Sequence, residues 1–423
     1  LAKNIVIVAT LDTKGAEASY LKKLIEERGH KAILVDTNMG GDPSIMPDIS
    51  AGEVARAGGG NIDEIRASKD RGKLTPIMIK GAIAKIKELY AAGKVDGIVS
   101  FGGASNTTIG TSVMKAFPFG LPKFMLSSTA SMPAYAAQYV GTSDIAMMHS
   151  VLDIAGLNDL VKDALNRAAG AICGMAESGP PITADALRGR KKPLIAVTEF
   201  GFAEGAGRYS MQYLEEKGYE PIAIHAQGIG DRAMEELISQ GIFDGVLDLV
   251  PAGVSEEWIG GNRAAGPTRL EAAGARGIPH VVTPCGFDMI SAGPLGRKDK
   301  QDPLWVTRRL AERKMFLPDE FRLQIRTNAE ELRETARIVA QKLNKSKGPV
   351  KFLIPTQGWS KLSVEGADLH EPDTDAIFVQ ELRENLKPEI EIIKLDTHLN
   401  TREFARAAVD ALDAMMKPDK AGR

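Results

Sequence analysis

Two rhythms of apolar residues alternate along this chain. Short β-branched runs, NIVIVAT over 4–10 and KAILVD over 31–36, flank a stretch whose apolar positions Ala18, Leu21, Leu24 and Ile25 recur at helical spacing. The pattern predicts strand, loop, helix and strand, with Gly29 ending the helix as a C-cap and Asp36 closing the second strand. Further strands are expected at VDGIVSF (95–101) and PKFMLSS (122–128). Parallel strands need crossovers, so repeated units of this kind predict a parallel sheet with helices on both faces. The segment 42–94, with a helix expected from Thr75 to Ala92, is longer than an ordinary connection and is expected to cover a ligand.

The opening unit recurs after the charged turn RGRKKP at 188–193. Residues 5–36 line up with LIAVTEFGFAEGAGRYSMQYLEEKGYEPIAIH, placing Thr10 with Thr198, Gly29 with Gly218 and Asp36 with His225. KVDGIVSFGGAS then matches IFDGVLDLVPAG, and GLPKFMLSSTAS matches GIPHVVTPCGFD, in the same order. The expected architecture is α/β, with two Rossmann-like, doubly wound parallel-sheet domains related by internal duplication. Residues 1–188 form the nucleotide-binding side and 189–423 the substrate side. Beyond the second unit the pattern predicts a polar stretch at 296–319 and a helix near 327–343. A strand KFLIPTQG, a helix around 377–385, a strand EIIKLD and a closing helix over 401–415 follow.

Length fits two domains, since 423 residues exceed one ordinary core. With 53 Lys and Arg dispersed among 55 Asp and Glu, net −2, the chain lacks the basic stripe of a nucleic-acid binder. It holds no apolar run of about 18 residues, and LAKNIVIVATLDTKG turns polar too soon for a signal peptide, so no membrane attachment is expected. Cys173 and Cys285 give neither a disulfide framework nor a zinc pattern, which fits a reducing, cytoplasmic location. A homodimer is expected as the commonest oligomer.

Ligands of doubly wound sheets bind outside the carboxyl ends of the strands, where following helices aim their N-termini. In the first half those loops are TLDTKG (Thr10, Asp12, Thr13, Lys14, Gly15), Asp36 with NMGG (Gly40, Gly41), SFGGASNT (Gly102, Gly103, Ser105, Asn106) and SSTAS (Ser127, Thr129). Glycines admit close backbone approach, hydroxyls and N–H groups donate, and Lys14 adds positive charge, a composition suited to phosphate. Neither G-x-x-x-x-G-K-[ST] nor G-x-G-x-x-G occurs in these loops. Asp36 stands where an acidic residue bonds ribose hydroxyls, and equally where one caps a turn.

In the second half the loops are TEFGFAEGAG (198–207), LVPAGVSEEWIGGN (249–262), TPCGFDM (283–289) and PTQGWS (355–360). Cys285 has two readings, a nucleophile served by His225 or His280, or a small buried hydrophobe. Glu199, Glu204 and Asp288 are candidates for Mg²⁺ or for helix caps. Asp396 and His398 either orient an acid–base group or cap the last helix.

Taken together, VATLDTKG, VDGIVSFGGASNT, LPKFMLSSTAS, TPCGFDM, PTQGWS and LDTHLNTREFA resemble the Tm-1-like ATP-binding family end to end. That family of bacterial and fungal proteins is similar to the N-terminal region of a plant antiviral resistance protein. The resemblance implies two Rossmann-like halves and ATP binding in the first, carried by Thr10, Asp12, Thr13, Lys14, Gly15, Gly102, Gly103, Ser105, Asn106, Ser127 and Thr129. The plant protein carries a further barrel domain, and its antiviral role is not expected to transfer. The leading expectation is an ATP-binding protein working on a small molecule between its halves, with Lys14 neutralising charge and Mg²⁺ recruited by Asp12 or Glu199. Its rivals are an ATP-independent enzyme built on Cys285 and a histidine, and a non-catalytic nucleotide-responsive module.

Overall fold

The structure, a computed structural model, describes residues 1–68, 70–179, 187 and 190–417. The chain divides into two compact units, Leu1–Thr183 and Ala184–Arg423. The boundary expected at 188/189 lies outside the described residues.

The first unit is built on strands β1 (Asn4–Ala9), β2 (Lys31–Asp36), β3 (Gly97–Gly102), β4 (Lys123–Ser127) and β5 (Ala146–His149). They pair in parallel in the order β2-β1-β3-β4-β5. Strands buried on both faces read as continuous apolar runs, and β1, β3 and β4 do so. Helices Gly15–Glu27 and Asp159–Glu177 cover one face, packing Leu21, Ile25, Leu165 and Ile172 on Ile5, Ile7 and Val99. Helices Ala51–Gly58, Arg71–Ala91 and Ala104–Lys115 cover the other, with Val54, Met78, Ile86 and Val113 on Val6, Val8 and Ile98. The excursion over 42–94, expected to cover a ligand, therefore supplies core helices instead. The second of these helices starts at Arg71, earlier than Thr75, because Asp70 caps it by accepting from the Lys73 N–H.

The second unit repeats the arrangement with β6 (Leu194–Glu199), β7 (Glu220–His225), β8 (Gly245–Asp248) and β9 (His280–Val282). A small antiparallel sheet interrupts it: β10 (Met289–Ser291), β11 (Met315–Phe316) and β12 (Gln324–Arg326) pair as β10-β12-β11. Strands β13 (Val350–Pro355) and β14 (Glu391–Leu395) then complete a parallel sheet ordered β14-β13-β9-β8-β6-β7. Counted along its own parallel sheet, each runs second strand, first, third, fourth and fifth, and the second sheet adds a sixth, the signature of a duplicated doubly wound fold.

The structural register corrects one detail of the repeat. The first strands are offset by 190 residues (4 to 194, 9 to 199), and Glu199 pairs with His225 as Ala9 pairs with Asp36, so Thr198 is the counterpart of Val8 and not of Thr10; the helices and second strands that follow are offset by 189. Thr198 lies inside β6, fully buried, where its hydroxyl donates to Asp248 at 2.8 Å and accepts the Val250 N–H at 2.9 Å.

Candidate functional site

In the first sheet the chain reverses direction of winding between β1 and β3, because the helix after β1 lies on one face and the helix after β3 on the other. Two helix N-termini therefore open onto the same switch point. Both are bare of side-chain caps: Lys14 precedes Gly15–Glu27 and Gly103 precedes Ala104–Lys115, and neither contributes a capping bond. Helices Ala51–Gly58, Ile62–Ala67, Arg71–Ala91 and Asp159–Glu177 are closed by Ser50, Asn61, Asp70 and Asn158, each accepting a first-turn N–H, while Pro133–Val140 also lacks a side-chain cap but opens on a proline, which has no N–H to satisfy. The switch point thus keeps backbone donors of the kind that those four helices satisfy with side chains.

Small polar side chains line this crevice. Thr10 and Thr13 meet through their hydroxyls at 3.2 Å, and Asp12 accepts the N–H groups of Thr13 (2.8 Å) and Gly41 (3.4 Å). The Lys14 ammonium donates to the Ile154 carbonyl, which draws the loop after β5 towards the loop after β1. Gly103 faces Ser128 and Asp153, 3.7 and 3.9 Å from where a Cβ would stand. Ser105 is exposed on the first turn, whereas Asn106 is buried and donates to the Phe101 carbonyl at 3.3 Å. Behind them runs a row of hydroxyls: Thr107 to Ser127 at 2.7 Å, Ser127 to Thr129 at 3.2 Å, and Thr129 to Tyr139 at 3.2 Å. Sequence reasoning did not single out Tyr139 or Asp153, because the first lies in a helix and the second after a strand that the apolar pattern did not reveal.

The glycines of the site have separate reasons. A Cβ on Gly15 would stand 1.9 Å from the Ser44 hydroxyl, and one on Gly40 would stand 2.5 Å from Asp12. Gly102 has φ +140°, which disfavours other residues, while Gly41 is exposed in open space and lends its carbonyl to Arg66 at 2.8 Å. Asp36 is placed inside the loop rather than towards a ribose. Its carboxylate is fully buried and accepts from the N–H groups of Leu11 (3.1 Å) and Asn38 (3.0 Å) and from the Asn38 amide. Burial pushes its carboxyl up, with those bonds opposing. Asn38 Oδ1 beside it is buried without a hydrogen-bond partner among the described residues.

The second unit treats its own strand ends differently. Arg269, fully buried, donates to Asp231 (2.9 Å), Glu235 (3.2 Å) and both oxygens of Asp248 (2.6 and 2.7 Å), filling the space at the end of β8. Burial alone pushes the Asp248 carboxyl up, but Arg269 and His280 overcome it and hold it well below the usual carboxylate range. Cys285 is fully buried in the apolar core, and burial, reinforced by Asp288, pushes its thiol well up. This environment opposes the thiolate a nucleophile requires. Of the histidines proposed to serve it, His280 faces Asp248 at 3.4 Å and His225 is exposed at the end of β7. Asp288 is buried, accepting the Gly286 N–H at 3.1 Å, and Glu199 lies close against Gly207, where a Cβ would be 2.6 Å from its oxygen.

Glu204 and His398 border a cavity of about 350 Å³ with Lys361 and Asn400, at the start of helix Glu204–Glu216. Asn400 partly closes that helix by accepting the Ala206 N–H at 3.1 Å. Asp396 braces the loop after β13, accepting from Thr356 and Gln357 at 3.1 and 3.2 Å, and the last helix is capped by Thr401. No group of three or more His, Cys, Asp or Glu side chains is positioned to hold a metal among the described residues, and none of their helices is long and apolar enough to cross a membrane.

The fold places the molecule among two-domain, doubly wound α/β proteins, with two helix starts lacking side-chain caps at the strand ends of the first domain. Residues 3–181 match the N-terminal domain, and residues 192–416 the C-terminal domain, of the uncharacterised protein family UPF0261. The chain belongs to that family. It is 36% identical over 416 residues to a UPF0261 protein of Clostridium tetani (strain Massachusetts / E88), covering 98% of this chain and 99% of the relative. It is 34% identical over 418 residues to one of Rhizobium meliloti (strain 1021), covering 98% and 100%. It is also 30% identical over 343 residues to the ToMV resistance protein Tm-1(GCR237) of Solanum lycopersicum, covering 81% of this chain and 44% of that protein. Among solved structures, a UDP-GlcNAc 2-epimerase of Methanocaldococcus jannaschii in complex with UDP-GlcNAc and UDP matches over 99% of this chain and 93% of its own, at 10% identity and a TM-score of 0.23. That likeness is too slight to bear on function.

Proposed function

We propose that this protein binds ATP, with the nucleotide's phosphates seated at the switch point of the first unit. The observation that carries the reading is the pair of helix starts without side-chain caps, Gly15 and Ala104, opening onto one crevice. Orphan N–H groups at helix N-termini favour an anion through both hydrogen bonding and the helix dipole. Ser105, Ser127 and Thr129 supply hydroxyl donors beside them, and Lys14 supplies a positive charge. The buried, unpartnered Asn38 Oδ1 offers an acceptor for a donor group of the nucleotide, and Asp36 holds that loop in place. Mg²⁺ arrives on the phosphates in this reading, with Asp12 and Asp153 as the nearest carboxylates of the loops, since the described residues present no protein cluster for it.

The test is calorimetric titration with ATP, ADP and NAD, with and without Mg²⁺, followed by phosphate release on the same samples. ATP is expected to bind in preference to NAD. Lys14→Ala is expected to weaken it by about tenfold, the scale of a lost charge-assisted hydrogen bond. Gly103→Asn is the sharper variant. Its φ of −84° admits a side chain, and the new amide would cap the helix and occupy the N–H groups needed by phosphate. ATP affinity should fall while thermal stability holds or rises. Unchanged ATP binding in both variants would sink the reading. Phosphate release then separates an ATPase from a nucleotide-responsive binding protein.

A further inference from the structure

The helix Pro372–Asn385 joins β13 to β14 and packs its Phe378 and Leu382 into the same core as Leu332, Val339 and Leu343 of helix Ala329–Leu343. Leaning that way, it leaves the edge strand β14 half uncovered. Between them lies a cavity of about 450 Å³, in the size range of small-molecule sites. Its apolar lining comes from Ile354 and Pro355 at the end of β13, Trp359 in the following loop and Val379 on the helix. Trp359 is held in place, its ring edge-on to Phe378 at 5.4 Å and its backbone N–H donating to the Ser363 hydroxyl at 3.0 Å.

The charges around this cavity are not balanced. Arg383 and Lys394 both line it and are exposed, and among the described residues neither has a hydrogen-bond or ion-pair partner. Of the acidic side chains that line it, Asp375 is bonded by Arg326, outside the lining, and Glu384 accepts from the neutral amide of Gln380 at 3.0 Å, so two unpaired cations face one carboxylate that no cation engages among the described residues. Two unpaired cations beside a flat apolar wall match a ligand with an apolar body and one anionic head, because the head gains from partners that have nothing else to bind.

We propose that this cavity of the second unit is a binding site for a small amphiphilic anion, a carboxylate, sulfonate or phosphate ester whose apolar body lies on Trp359 and Val379 and whose head meets Arg383 and Lys394. It is separate from the nucleotide site and does not depend on it.

The test uses the full chain and the probe 8-anilinonaphthalene-1-sulfonate, followed by fluorescence titration. One saturable site is expected. The double charge reversal Arg383→Glu/Lys394→Glu changes only exposed side chains and is expected to weaken binding by about tenfold or more, the size of losing charge-assisted contacts. Ala376→Trp, also at an exposed position lining the cavity, is expected to fill it and abolish the site. Lys87→Glu, on an exposed position of the first unit, should leave the titration unchanged, and circular dichroism melts confirm that each variant is folded. Binding that survives Ala376→Trp, or the absence of any saturable site, overturns the proposal. Binding that survives the charge reversal but not Ala376→Trp overturns its anionic part.

Discussion

Arg269 is the residue on which the second unit depends most visibly. Its guanidinium, with no exposure to solvent, serves three carboxylates that come from 38, 34 and 21 residues away in the chain. Breaking a buried ion network by removing one partner leaves uncompensated charge, at a cost of about 3–5 kcal/mol. Arg269→Met is therefore expected to lower stability by that order in urea unfolding, and a loss under about 1 kcal/mol would show that the network is relieved by water. At the other end of the unit, Asp413 accepts from Tyr219 (2.8 Å), Lys217 (3.0 Å) and Lys417 (2.7 Å). Burial pushes its carboxyl up, but those partners prevail and bring it from 3.8 to about 2. A carboxyl depressed on folding contributes stability above its unfolded pKa and loses it as pH falls through the folded one. Stability should accordingly drop by on the order of 1–2 kcal/mol between about pH 4 and pH 2, and Asp413→Asn should flatten that part of the profile. Neither residue was legible in the sequence. A charge among polar neighbours reads as a solvated surface group, and nothing local distinguishes one that distant segments enclose.

Among the elements, the helices over 51–91 differ most from their expected role. Length alone pointed to a cover for a ligand, yet Val54, Ala55, Met78 and Ala82 are core residues. Helices Ala51–Gly58 and Arg71–Ala91 approach closely through glycines: a Cβ on Gly81 would stand 1.8 Å from the Val54 carbonyl oxygen, and one on Gly58 would stand 2.0 Å from that of Ile77. Gly81→Ala would gain helix propensity but must push two backbones apart, and overpacking of that kind costs about 1–3 kcal/mol. A thermal melt should show the variant less stable than the parent; a gain would mean that the pair separates freely. Elsewhere the apolar rhythm located elements well. The strands at β1, β2 and β4, and the closing helix behind Thr401, fall within a residue or two of their expected ends. Strand β5 escaped, because AMMH is short and half-buried at a sheet edge. Helix Pro372–Asn385 begins five residues before Ile377, where Pro372 and two acidic residues in the first turn form a start signal that apolar spacing does not register.

At the scale of the whole molecule, each unit encloses its own core, and the three tryptophans, Trp258, Trp305 and Trp359, all belong to the second. Tryptophan emission therefore reports on one unit and far-ultraviolet dichroism on both. A ligand at a hundred times its Kd stabilises the state that binds it by about 2.7 kcal/mol. If ATP occupies the first unit, the dichroism transition should move up in temperature by more than the tryptophan transition. Equal movement of the two would mean that the units melt together, and movement of the tryptophan transition alone would place the nucleotide in the second unit.

The duplicated, doubly wound fold was determined by the sequence itself, because strand and helix periods are local properties and their order of repetition admits few topologies. The same is true of the glycine- and hydroxyl-rich strand ends, since the fold rule says where such loops must gather. Tertiary structure alone decided what each of those loops does. Burial turned Asp36 inward as a brace and Cys285 into a core side chain, closed the end of β8 with Arg269, and left the helix starts at Gly15 and Ala104 without caps. The physical reason is that solvation and pairing belong to the neighbours a residue meets in space. Here those neighbours arrive from tens of residues away, where no local pattern records them.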